Sequence, residues 1–267
     1  MISGKRATLA RMSESRGHRG PAPNDEVLFA EVTWPALKTA TLELSWLLSR
    51  GYVMLSGLKL VGDRHALTAR QRAAVERAAC AAEVAQGRRQ KRVSIDALRG
   101  QVVAIDAFNV LIVSESAFSN APIFRGQDGA LRDLGGVHGS WRRVQETEPV
   151  LLALAALLRD AEVARVRFFI DRPVSNSGRL RALIDEVFSH AAPSLPLEIE
   201  LVPSADPSLR EEHDAIIASA DGWVIDGSTR WIDLPSVLVE EREQAIWLVD
   251  LSDMSAATPS PSSAKPC

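Results

Sequence analysis

Three apolar runs along the chain each close on an Ile-Asp pair: VVAIDAFNVL at residues 102–111, VRFFIDRPV around Asp171, and GWVIDGST around Asp226. A short apolar run stopped by a polar residue predicts a strand buried on both faces, the kind that parallel sheets are built from. Asp106, Asp171 and Asp226 would then stand at the carboxyl ends of three strands, where open α/β sheets bind their ligands. Between these runs the period changes to that of helices. Residues 148–159 open on Thr147 and Pro149, and Leu180, Leu183, Ile184, Val187 and Phe188 make a stripe over 177–190. LEIELV at 197–202 alternates apolar and acidic residues, as a half-exposed edge strand does. Ser208 and Glu211 are read as the cap of a helix carrying Asp214, Ile216 and Ile217, and a last strand is expected at 245–249.

Upstream the pattern is helical throughout. Leu37, Leu44, Leu47 and Leu48 share a helical face before Gly51, a second helix is expected over 52–60, and Thr68 with Gln71 forms a capping box opening a third that runs to about residue 85. Strands alternating with helices after a helical front predict an α/β fold: a small all-α domain at 25–92, then a largely parallel, doubly wound sheet at 95–251. Residues 1–24 and 252–267, without periodicity, are expected to be a mobile arm and a disordered tail. Residues 113–145 are read as a long loop covering the crevice, with His138 a hydrogen-bonded loop residue in the first reading and a ligand or acid-base group in the second.

Composition narrows the class. Hydrophobic residues make up 46% of the 267, enough for a packed core, and no apolar run approaches the roughly 18 residues of a membrane span. A cytoplasmic protein without a membrane partner is expected. The two cysteines, Cys80 and Cys267, make neither a disulfide framework nor a ligand cluster. The net charge of −3 hides an asymmetry: residues 1–99 hold 17 Lys and Arg against 9 Asp and Glu, leaving 14 against 25 for the rest. A basic front joined to an acidic rear suits a protein that gathers a polyanion and places carboxylates beside it, although two ordinary solvated surfaces explain the same counts. Arg64, Arg70 and Arg72, in a basic group with Arg77 and GRRQKR at 87–92, and Arg125 and Arg172 further on, are the candidate phosphate contacts for RNA.

Aspartates gathered without His or Cys form a hard, oxygen-only donor set, which suits Mg²⁺ or Mn²⁺ and, with them, phosphodiester hydrolysis. Asp106, Asp171 and Asp226 are candidate metal ligands and catalytic groups; Asp214 is a fourth, and Asn109 could orient a phosphate oxygen. Against this, an Asp after a strand often caps the next turn or helix. No GxxxxGK[ST] loop, post-strand GxGxxG or GxSxG elbow is present, and Phe108 stands where an aspartyl phosphatase would carry a second Asp.

VVAIDAFNVL resembles the first-strand motif of PIN-like nucleases, especially their NYN-type branch, and HDAIIASADGWVIDGS resembles their later Asp-bearing helix and strand. RGHRGP, SWLLSRGY, LVGDRHALTARQRAAVERAAC and FRGQDGALRDLGGVHGS also resemble an uncharacterised prokaryotic family, in which a helical domain of unknown function (434 type) precedes a PIN-like domain. The resemblance implies a Rossmann-like sheet and a Mg²⁺- or Mn²⁺-dependent endoribonuclease with its site at Asp106, Asp214 and Asp226. It also implies a further acidic residue after the first strand, for which Glu115, Asp128 and Asp133 are all available. The alternative is a non-catalytic RNA-binding or regulatory protein that keeps the fold.

Overall fold

The computed structural model describes residues 17–136, 139–242 and 244–252. Among the described residues five α-helices form the front: α1 (Asp25–Leu28), α2 (Trp34–Leu48), α3 (Met54–Arg64), α4 (Ala69–Ala78) and α5 (Ala82–Lys91). The capping box of α4 is present as expected, with Thr68 Oγ1 accepting from the Gln71 N–H. That helix ends at Ala78, earlier than its apolar pattern predicted, because tertiary partners claim the backbone: Ser45 Oγ donates to the Cys80 carbonyl and the Gln127 N–H to the Ala78 carbonyl. The basic GRRQK segment is consequently the last part of a separate helix, α5, and not a linker.

Along the second part, β1 (Val102–Asp106) leads into α6 (Ala107–Phe118), a hairpin of β2 (Ile123–Arg125) and β3 (Leu131–Arg132), and α7 (Thr147–Asp160). Then come β4 (Arg165–Asp171), α8 (Ser177–Ala191), β5 (Leu197–Val202), α9 (Ala205–Arg210), β6 (Ile216–Ala218), α10 (Gly222–Gly227), β7 (Trp231–Ile232), α11 (Leu234–Glu240) and β8 (Leu248–Asp250). The main sheet is wholly parallel in the order β5-β4-β1-β6-β7, with β5 at an edge. The order β3-β2-β8 makes a second, three-stranded sheet, so the last strand does not join the first sheet.

Three expectations are corrected. Asp226 is on helix α10 and not at a strand end, because Asp221 caps that helix by accepting from the Trp223 and Val224 N–H groups. Asp214 is not on a helix: it is exposed in the segment before β6, with Ile216 and Ile217 themselves in the strand. The 113–145 stretch is no uniform loop, since it holds the end of α6 and the β2–β3 hairpin. His138 lies outside the described residues, as do 1–16 and 253–267. Where it is described, the N-terminal arm is tied down: Gly17 bridges Val144, and Arg19 Nε donates to the buried Glu115 carboxylate at 2.6 Å.

The helical front is not a separate globule. One core cluster joins Phe29, Leu37, Leu44 and Val75 of the front to Phe124, Val249 and Leu251 of the small sheet, and Phe29 meets Phe124 edge to face at 4.9 Å. Among the described residues no helix is long and apolar enough to cross a membrane.

Candidate active site

Counted along the chain, the strands of the main sheet lie in the order 3-2-1-4-5, so successive crossovers leave β1 in one direction through β4 and β5 and return on its other side at β6. The carboxyl ends of β1 and β6 therefore flank the point where strand order reverses, the place where doubly wound sheets open a crevice. Asp106 ends β1 and is 5% exposed. Its Oδ1 accepts from the Asn109 N–H at 3.1 Å, and its Oδ2 from Ser219 Oγ, just past β6, at 3.2 Å. Asn109 spans the same gap, accepting from the Ala220 N–H at 2.8 Å. On the other side of β1, Asp171 ends β4 and accepts from the Ala205 N–H at the start of α9 at 2.9 Å. The next residue, Asp206, and Asp221 after β6 complete a set of four.

Asp106 and Asp206 feel the carboxylates around them. Burial, joined by the charges of Asp206 and Asp171, pushes Asp106 up to about 7 against the hydrogen bonds that favour its anion. Asp206 is raised as well, by burial and then by Asp221 and Asp171. Among the described residues no Lys or Arg forms a salt bridge with any of the four. The neighbouring acids are treated differently. Burial alone would raise Asp128, but the Arg132 and Arg88 guanidiniums hold it at about 2. Asp226, 47% exposed, is gripped at both oxygens by Arg88 at 2.8 and 2.9 Å.

Of the residues expected from sequence, Asp106, Asp171 and Asn109 come together. Asp214 stands at the amino edge of the sheet, away from them, because it precedes β6. Asp226 faces the crevice through a cleft it shares with Asn109 and Asp221, but as the partner of Arg88. Among the three acids left open, Glu115 is spent on Arg19 and Thr147 and Asp128 on two arginines, so only Asp133 reaches the cleft beside Asp106. Asp206 and Asp221 were not anticipated; the signal for Asp221 was the IIASADG string, an apolar run whose strand ends three residues before the acid. Of the arginines, Arg70 is bound to buried Asp25, Arg72 to Asp63, Arg64 to Glu43, and Arg125 faces Asp250 at 3.6 Å. Arg172 follows Asp171 and donates to the Leu201 carbonyl.

Two clefts open here. One of about 270 Å³ is lined by Asp106, Asp171, Asn109, Asp133 and Arg77. Another of about 650 Å³ runs between α4 and α5 on one side and Asn109, Arg132 and Asp221 on the other.

A model for a domain of unknown function, DUF5616, matches residues 95–237, more than half of the chain. The chain belongs to that family. The DUF5616 segment contains β1 through β7 and all four aspartates, while a model for a protein of unknown function, DUF434, matches residues 36–91 and so takes in α3, α4, α5 and most of α2. An uncharacterised protein of Methanocaldococcus jannaschii is 24% identical over 190 residues, covering 71% of this chain and 89% of its own length, so the resemblance extends beyond the DUF5616 segment. No solved structure matches.

In donor chemistry the DUF5616 crevice suits a hard divalent cation: among the described residues it gathers four carboxylates that form no salt bridge, while Asp133 in the same cleft is paired with Arg77 at 3.7 Å. Among the same residues, however, no three His, Cys, Asp or Glu side chains stand ready as a preassembled metal group. Each of Asp106, Asp171 and Asp221 also has an oxygen occupied by a helix-starting N–H.

Proposed function

We propose that this protein is a divalent-metal-dependent nuclease of the PIN-like kind, hydrolysing RNA phosphodiesters at the carboxyl edge of its parallel sheet. The observation that carries the reading is the convergence of Asp106, Asp171, Asp206 and Asp221 at the strand-order reversal, with no salt bridge among the described residues to balance them. Asp106 and Asp206, raised in part by the charges of their carboxylate neighbours, mark repulsion which a bound dication would relieve. The 3-2-1-4-5 order supports a Rossmann-like sheet, and with it the resemblance of VVAIDAFNVL to the first PIN-like strand.

Asp106, Asp171, Asp206 and Asp221 would hold Mg²⁺ or Mn²⁺, which when bound supplies a nucleophile at neutral pH and neutralises charge on the leaving oxygen. The protein's own part is positioning. The Asn109 N–H and Ser219 hydroxyl fix the Asp106 carboxylate, so its orientation survives changes of charge at the site. Asn109 uses its Oδ1 on the Ala220 N–H, leaving its Nδ2 to donate to a phosphate oxygen.

The test is cleavage of end-labelled single-stranded RNA with Mn²⁺. Wild-type protein is expected to cut internally, EDTA to stop it, and Asp106→Asn to lose about a hundred-fold or more in rate, the size of effect that removing a charge-stabilising group produces. Asp214→Asn should cut normally. The helix-capping bonds of Asp106, Asp171 and Asp221 favour the second reading, a non-catalytic RNA-binding or regulatory protein. RNA binding without metal-dependent cleavage would establish that reading and remove the first.

A further inference from the structure

The two clefts at the site share Arg77, Asn109 and Asp133, so they form one groove that begins at Asp106 and Asp171 and continues along the seam between the helical front and the sheet. The far wall of that seam is not built from the DUF5616 segment at all. It consists of α4, α5, the end of α2 and the start of α3, all within the DUF434 segment.

Among the described residues three arginines line the groove, and their charges are disposed of differently. Arg132 grips Asp128 with two nitrogens at 2.8 Å, and Arg88 lies between Asp128 and Asp226. Both are neutralised in place, and Arg88 of α5 ties the front to the opposite wall. Arg77 is 43% exposed, donates to backbone carbonyls, those of Asp133 at 2.8 Å and Gly135 at 3.2 Å, and keeps only a long ion pair, 3.7 Å, with the Asp133 carboxylate. A guanidinium has five N–H donors, so two carbonyl contacts leave it able to grip an anion. Leu48, Met54 and Val84 give the far end of the groove an apolar lining.

We infer that the seam is the binding groove for a single-stranded polynucleotide, with Arg77 of α4 gripping a phosphate next to the one presented to the carboxylates. The inference rests on the nuclease reading and adds the substrate's path and strandedness. The 650 Å³ of the wider cleft falls in the range of small-ligand sites, room for a few nucleotides of one strand and not for a duplex. It offers Arg77 for a phosphate and, further along, Leu48, Met54 and Val84 as apolar surface for bases. The helical front therefore contributes to the site itself, through Arg77 and not through Arg64, Arg70 or Arg72.

The experiment measures binding of a fluorescent twelve-nucleotide oligouridine to the full chain with Ca²⁺ present, across a range of KCl, alongside melting curves for every variant. Arg77→Gln is expected to weaken binding about ten-fold and to lower the log-log salt slope by about 0.7, one phosphate contact on a single strand. Arg77→Lys keeps the charge and should keep the slope, and Arg72→Gln, paired with Asp63 outside the groove, should change neither. A strand annealed to its complement should bind far more weakly. If wild-type protein cuts RNA but Arg77→Gln leaves the slope unchanged, or Arg77→Lys loses as much as Gln, Arg77 is only a strut for residues 133–135 and the inference falls while the nuclease reading stands. Equal binding of duplex overturns the assignment of a single strand. A wild-type protein that neither binds nor cuts RNA overturns both.

Discussion

Asp106 is where the opposing demands on the fold meet. A carboxyl raised from its ordinary 3.8 to about 7 is protonated in the folded chain at pH values where the unfolded chain has already released the proton. Its stabilising contribution is therefore complete below about pH 4 and is lost as pH rises through 7. Every tenfold gain in proton affinity on folding is worth about 1.4 kcal/mol, so the loss between pH 4 and pH 8 amounts to about 4 kcal/mol at most. Metal-free Asp106→Asn should melt higher than wild type at pH 8 and about equally at pH 4, with both hydrogen bonds of the side chain reorganised but retained in number. Urea titrations of both proteins at the two pH values check this, and an identical pH dependence would show that Asp106 is not the responsive group. Asp106 and Asp171 were legible because each ends a run whose residues are buried on both faces. Asp206 was not, since nothing in PSADPS marks a residue that only the crossover from β5 delivers to the crevice.

The element most misread from sequence is α10. VIDG repeats the look of AIDA in β1, and six apolar-rich residues carry no period long enough to separate a buried strand from a buried helix. The choice is made by the Asp221 cap and by Gly222, where an added Cβ would stand 2.6 Å from Arg88 Nη2. Arg88 is itself held by Asp128 and Asp226 and cannot retreat. Gly222→Ala should therefore displace the guanidinium and loosen α5 from α10, seen as faster amide exchange in both helices with little change in the rest of the sheet. The hairpin joining β2 to β3 depends on the same cluster. Asp128→Ala leaves two buried guanidiniums without their shared partner, a loss of about 3–5 kcal/mol. Chemical denaturation at pH 7 measures it; a change under about 1 kcal/mol would mean that solvent replaces the carboxylate.

At the scale of the whole molecule, the boundary between helical front and sheet was legible in the change of period near residue 95, but their union was not. It depends on Phe124, Val249 and Leu251, which in sequence belong to the later domain and in space complete the core of the front. Phe124 is fully buried, so Phe124→Ala should cost about 3–5 kcal/mol, and calorimetry should show front and sheet still melting in one transition at a lower temperature. Two resolved transitions would indicate independent domains. The charge asymmetry was legible too, although Arg64, Arg70 and Arg72 turn out to serve closer ion pairs, while Arg77, 3.7 Å from Asp133, lies on the groove. The most direct test of the central claim is a Mn²⁺ titration of the full chain at pH 7.5, reading free Mn²⁺ by electron paramagnetic resonance. Saturable binding is expected in wild type and in Asp214→Asn, and its loss in Asp106→Asn and in Asp221→Asn. Wild-type protein that leaves all the Mn²⁺ free, or binding that Asp106→Asn and Asp221→Asn leave intact, would contradict a metal site at the carboxyl ends of β1 and β6.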